Sequence, residues 1–225
     1  MIPVRAQHER NLILRLFAGE AGGIWYDRFM SEAANPYPLT LLLLAGGASR
    51  RMKQDKALLP APDETLIERV LAQVEGLFAE ILVSVAPGRT YDFTSHPQIP
   101  DAAEGLGPMA GILAGLKAAR FDPAFVLAGD IPAVDRGFIS QLIAAAEGFD
   151  VAVPRTSQGL EPLLAVYRKT TVPLIERLLA GGKRSVLDLY PLCRTTIVDI
   201  GDPGWLRNIN TPEEYEIFLR TLKCR

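Results

Sequence analysis

The segment Leu41–Ala45 reads Leu-Leu-Leu-Leu-Ala and runs directly into Gly46-Gly47. It is far too short to span a membrane. A short, unbroken apolar run closed by glycines is the pattern of a strand buried on both faces. Such a strand needs helices above and below it. The chain is therefore expected to build a mostly parallel sheet in a three-layer α/β/α arrangement. Ligands in these folds lie beyond the carboxyl ends of the strands, so the residues that follow each strand are the ones to inspect.

The rest of the chain repeats strand, loop and helix. Thr65-Leu66-Ile67-Glu68 has the form of a capping box. The helix it opens carries Ile67, Val70, Leu71, Val74, Leu77 and Phe78 at helical spacing. Strands are expected at 81–85, 125–128, 151–153, 163–167 and 196–200. Helices are expected at 108–118, 138–146, 172–179 and, shorter, at 185–190. Thr211-Pro212-Glu213-Glu214 supplies an N-cap, a proline at the first helical position and an acid at the third.

Residues 1–38 read differently. Asn11–Phe17 could form a short helix, 18–23 a turn, and Asn35-Pro36-Tyr37-Pro38 a breaker. We divide the chain into an N-terminal extension, 1–38, and one domain, 39–225. Residues 1–29 fit equally well an upstream start, with Met30 the true one, and a helix that packs on the domain. The N-terminus lacks the form of a signal peptide, because Arg10, Arg15 and Glu20 interrupt it. The expected location is the cytoplasm.

Composition excludes several function classes. Lys plus Arg is 24 and Asp plus Glu is 26, a net charge of −2. That disfavours general binding to a nucleic-acid backbone, which requires a basic surface. The two cysteines, Cys193 and Cys224, are too far apart for a C-x-x-C site. The two histidines, His8 and His96, are too few for a His-rich metal centre.

Four stretches carry chemistry. After the first strand comes Leu44-Ala45-Gly46-Gly47-Ala48-Ser49-Arg50-Arg51-Met52-Lys53-Gln54-Asp55-Lys56. Its glycines allow close backbone approach to an anion, and Arg51 and Lys56 add positive charge. It is neither a P-loop nor a dinucleotide fingerprint, since both spacings are absent. A bare surface turn would not need so many polar groups. Asp130 ends the run Phe125–Gly129, where a carboxylate can hold Mg²⁺ against phosphates. The Gly-rich stretch from Pro100 and Asp101 to Gly111 leads into a helix that starts at Pro108. It suits contact with a base, a ribose or an anion, and a plain connecting loop accounts for it equally well. Asn208 and Asn210 alternate, so on an extended segment they share a side.

In order and spacing these stretches resemble the MobA family of molybdenum cofactor guanylyltransferases, within the nucleotidyltransferase superfamily. Residues 44–56 match the family's L-A-G-G-x-S-x-R-M-G-x-D-K, except that Lys53 stands where Gly is usual. The loop at 100–111, Asp-x-Pro at 130–132, Glu-Pro-Leu at 161–163 and N-x-N-T-P-E at 208–213 follow in the family's order. The resemblance covers about 39–223. It implies a Rossmann-like fold and a Mg²⁺-dependent enzyme. That enzyme would transfer GMP from GTP to the phosphate of molybdopterin and release pyrophosphate.

By the same resemblance, Leu44, Ala45, Gly46, Gly47, Arg51 and Lys56 hold the nucleotide and its phosphates. Asp101 meets the guanosine, and Asp130 holds the metal. Arg184 suits the pterin phosphate, and Asn208 and Asn210 complete the pterin or metal side. The catalytic set is Lys56, Arg51 and Asp130. Molybdoenzyme-specific chaperones are implied as recipients of the product, with no nucleic acid and no membrane involved.

Three departures bear on detail: Lys53, Ala128-Gly129 in place of a Cys before the Asp, and Ser84-Val85-Ala86 where some members place an Asn near the base. The competing readings are a cytidylyltransferase for the same pterin and a nucleotide-binding relative without activity. Gly46 and Asp55 lean toward guanine, and the presence of both Lys56 and Asp130 argues against a pure binder.

Overall fold

The computed structural model describes residues 36–45, 58–62, 64–101, 105–209 and 211–223. The expected helix at 11–17, the turn at 18–23 and nearly all of the 1–38 extension lie outside them. So do Gly46, Gly47, Arg51, Lys53, Lys56 and Asn210.

The first strand, β1, spans Tyr37–Leu44. A short antiparallel ribbon follows, β2 (Pro60–Ala61) with β3 (Glu64–Thr65). Then come α1 (Leu66–Val74), β4 (Phe78–Val85), β5 (Gln98–Pro100), α2 (Pro108–Ala118), β6 (Ala124–Ala128) and α3 (Arg136–Ala145). The second half contains β7 (Val151–Thr156), β8 (Gly159–Leu160), β9 (Leu164–Tyr167), α4 (Val172–Ala180), β10 (Thr195–Asp199) and α5 (Pro212–Lys223). Short 3₁₀ turns cover Lys169–Thr171 and Val186–Leu192.

The main sheet has the order β10-β7-β9-β6-β1-β4-β5, with β8 paired to β7. β1 and β6 are parallel, as are β4 and β5, and β10 and β7. β9 runs against both of its neighbours. The expected mostly parallel sheet is present, with β9 reversed near its middle and the short β8 reversed beside β7.

β1 is central, and Leu41, Leu42 and Leu43 are wholly buried. Successive residues face opposite sides. Leu42 and Leu44 join Ile112, Leu116, Val126 and Tyr167 in one core cluster. Each fully buried leucine of this kind contributes about 1.5–3 kcal/mol. At the strand's other end the buried Thr40 hydroxyl donates to Glu80 Oε2 (2.5 Å) and accepts from the Phe121 N–H (3.2 Å). No polar group in this pairing goes unmatched, as burial demands.

The capping box at Thr65 forms as expected: its Oγ accepts from the Glu68 N–H, and the Glu68 carboxylate accepts from the Thr65 N–H. The helix is shorter than its periodicity suggests. It stops at Val74, Gly76 takes φ +75°, and Phe78 opens β4. Leu77 and Phe78 therefore belong to the turn and the strand. A positive φ suits glycine and ends the helix before the apolar spacing does. The box at Thr211 and Glu214 is also present. Among the described residues no helix is long and apolar enough to cross a membrane.

α2 lies so close to β1 that a methyl group on Gly115 would overlap the Leu42 side chain. Overpacking costs about 1–3 kcal/mol, whereas the gain in helix propensity from Gly to Ala is about 1 kcal/mol. Gly115→Ala is therefore expected to lower the thermal midpoint. A variant melting at or above wild type would show that Leu42 has room to move.

Asp150 ties β7 to the start of β10. Its carboxylate accepts from Arg194 N (3.0 Å), Arg194 Nε (3.1 Å) and Thr170 Oγ1 (2.8 Å). Chiefly through the Arg194 side chain, these bonds pull its pKa from the ordinary 3.8 down to about 2. A lowered carboxylate pKa contributes stability above the unfolded value and loses it as pH falls through the folded one. Asp150→Asn is thus expected to melt below wild type at neutral pH. The gap should close between about pH 4 and pH 2 in a melting series.

Candidate active site

The strand ends converge on one rim of the sheet. The Ala45 N–H donates to the Ser84 carbonyl (3.0 Å), and the Gly129 N–H donates to the Leu44 carbonyl (3.0 Å). The Asp101 N–H donates to the Val85 carbonyl (2.9 Å). The carboxyl ends of β1, β4, β5 and β6 therefore lie side by side. Because β9 is reversed, it contributes its beginning to the same rim: the Ala128 N–H donates to the Leu163 carbonyl (2.8 Å).

Asp101 stands on one part of this rim. The buried Ser84 hydroxyl donates to Asp101 Oδ1. Burial raises the Asp101 carboxyl above its ordinary value, and the Ser84 hydrogen bond works against that rise. Behind the pair sits Gly111 on the first turns of α2. A Cβ there would lie 2.6 Å from Ser84 Oγ and 3.0 Å from Asp101 Oδ1. The glycine is a spacing requirement that lets the helix approach the pair.

Asp130 stands beyond β6. Its carbonyl accepts from the Ile209 N–H (3.0 Å), which fastens Asn208 and Ile209 beside it. Asn208 Nδ2 donates to Glu161 Oε2 at 3.5 Å. Burial raises the Glu161 carboxyl, the Asn208 amide lowers it, and the charge of Asp130 raises it further. Asn208 Oδ1 is shielded from solvent and has no hydrogen-bond partner among the described residues. Among the described residues no group of three or more His, Cys, Asp or Glu side chains could hold a metal by itself. What the structure brings together is two carboxylates and an amide oxygen.

Arg184 sits on an exposed turn. A Cβ on Gly107, at the start of α2, would be 3.7 Å from its carbonyl. Its Nη1 donates to the carbonyls of Leu179 (3.2 Å) and Lys183 (3.0 Å), so the guanidinium folds back over the end of α4. Leu44, Ala45, Asp101, Asp130 and Asn208 are thus on the rim, and Arg184 lies beside the loop that precedes α2. Sequence reasoning gave no role to Glu161 or Ser84. The Glu-Pro-Leu pattern was visible, but its place beside Asp130 follows only from the reversed β9.

This fold is an open α/β domain, a class that binds its ligand past the carboxyl ends of its strands, where the acidic and amide-bearing cluster lies. The model of the MobA-like NTP transferase domain matches residues 41–195, and the chain belongs to that family of nucleotidyltransferases. It is 38% identical to a probable molybdenum cofactor guanylyltransferase of Pelotomaculum thermopropionicum, over 78% of this chain and 89% of that one. It is 30% identical to a molybdenum cofactor guanylyltransferase of Vibrio campbellii, over 81% of this chain and 96% of the relative. The fold matches the crystal structure of molybdopterin-guanine dinucleotide biosynthesis protein A from Archaeoglobus fulgidus. That match has a TM-score of 0.71 and 24% identity, over 83% of this chain and 100% of the other.

Gly111→Ala is expected to push the Ser84–Asp101 pair out of place. Losing a hydrogen bond to a charged group costs about 1.5–3 kcal/mol. Calorimetric titration with GTP should then show affinity weakened roughly tenfold or more. Unchanged affinity would mean that this pair does not face the nucleotide.

Proposed function

We propose that the chain transfers GMP from GTP to the phosphate of molybdopterin, releasing pyrophosphate and forming molybdopterin guanine dinucleotide. The observation that carries this reading is the agreement with guanylyltransferase relatives along nearly their whole length. The cluster on the rim supports it, because an α/β enzyme of this kind meets its nucleotide there.

The chemistry follows from charge. The pterin phosphate is an anion that attacks another phosphate. Positioning and electrostatic stabilisation therefore supply most of the rate. The nucleophile is already ionised, so no general base is required. In this reading Lys56 and Arg51 hold the triphosphate and stabilise the departing pyrophosphate. Gly46 and Gly47 present backbone N–H groups, with Leu44 and Ala45 leading the chain to them. Asp101, braced by Ser84, meets the guanosine. Arg184 and Asn210 serve the pterin side.

Mg²⁺ fits the rim. Asn208 Oδ1 is an orphaned, shielded acceptor beside carboxylates, and oxygen-only donors are what this hard cation selects. Asp130 and Asn208 would hold it. When bound it neutralises charge on the phosphates. We assign the activity to residues 39–225, in a cytoplasmic setting, and treat 1–38 as an appendage. The family match that begins at residue 41 supports that division.

The test is calorimetric titration with GTP, CTP and ATP, each with Mg²⁺, followed by turnover with molybdopterin. GTP is expected to bind tightly and the other two weakly. Lys56→Ala and Asp130→Ala should abolish turnover while the circular-dichroism melt stays at the wild-type value. A chain starting at Met30 should turn over like the full one. Preference for CTP would replace guanylyl with cytidylyl transfer, and normal turnover in either variant would remove that residue from the mechanism.

A further inference from the structure

Glu161 is a carboxylate on the rim that the mechanism above does not use. It precedes β9, and its backbone is fixed on every side. Its N–H donates to the Pro154 carbonyl (2.9 Å), and its own carbonyl accepts from the Leu164 N–H (3.1 Å). The next carbonyl, of Pro162, accepts from the Tyr167 hydroxyl (2.7 Å), which also pairs with the Tyr190 hydroxyl (3.0 Å). Tyr167 is wholly buried. A side chain on so braced a segment is held in place.

Its surroundings are one-sided. Among the described residues the Asn208 amide is the single donor to its carboxylate, and the charge of Asp130 bears on it from nearby. Among the described residues no Lys or Arg acts on it. Two like charges brought together beside a shielded amide oxygen repel one another, and a divalent cation turns that repulsion into attraction.

We infer that Glu161 is a further oxygen ligand of the divalent cation, closing with Asp130 and Asn208 a three-donor cradle. The inference rests on the metal reading above and deepens it. The first donor comes from the exit of a parallel strand, the second from the approach to the reversed strand, and the third from the segment before the last helix. The cradle therefore exists only once both halves of the sheet have assembled.

The experiment measures Mn²⁺ binding to the full chain, with and without GTP, from the electron paramagnetic resonance of the free ion. Thermal melts run in parallel. Glu161→Gln is expected to weaken Mn²⁺ binding by about tenfold or more, in line with losses seen at metal sites, and Glu161→Asp by less. Without metal, Glu161→Gln should melt at or above wild type, since it relieves repulsion, while its Mn²⁺-induced rise in melting temperature is lost. A merely structural glutamate would show the reverse, a lower metal-free midpoint with the rise retained. Wild-type Mn²⁺ affinity in Glu161→Gln, together with loss in Asp130→Asn, would overturn the inference and leave the metal role of Asp130 standing. Wild-type affinity in both variants would overturn the two together.

Discussion

The parallel pairing of β1 with β6 is the constraint on which the site depends. It aligns Leu44 with Ala128, so that the two chains leave the sheet together and the Gly129 N–H closes onto the Leu44 carbonyl. A one-residue slip would reverse every side chain of β1 between the two faces. The register is fixed by the buried leucines along the strand and by Thr40 at its far end, where one hydroxyl serves both Glu80 and the Phe121 backbone.

Around that pairing the rim divides by chemistry. On the β4–β5 side a buried serine and a carboxylate pack against a glycine of α2, a hydrogen-bonding surface with no room to spare. On the β6–β9 side, among the described residues, are oxygen acceptors, Glu161 and the shielded Asn208 Oδ1, near Asp130. The first suits recognition of a neutral, hydrogen-bonding group, and the second suits charge neutralisation. A transferase that joins two phosphates needs both kinds of surface close together.

Much of this was legible in the chain because the signals are local. Thr65 and Glu68, or Thr211 and Glu214, are three residues apart and cap their helices wherever the rest of the fold goes. Pro108 marks its helix start to the residue. The apolar run before Gly46 announced a strand covered on both faces. Non-local facts were not legible. The direction of β9 depends on partners about forty residues away in β6, and apolar spacing is the same for either direction. Ser84 read only as the lack of an asparagine, because its partner Asp101 is 17 residues distant. Glu161 carried no local sign of its neighbours Asp130 and Asn208. The spacing of Leu77 and Phe78 continued a helix that one glycine had already ended.

The reversal of β9 has a consequence for how such an enzyme can change. Glu161 arrives through the hairpin of β7 and β8, whereas Ser84 and Asp101 arrive through the parallel strands on the other side of β1. The two halves of the site are thus carried by separate stretches of gene, with β6 encoded between them. Recombination or loop grafting in the hairpin can remodel one half while the other keeps its inherited shape. The architecture makes the hydrogen-bonding half and the oxygen-rich half of the rim separable traits, open to selection one at a time.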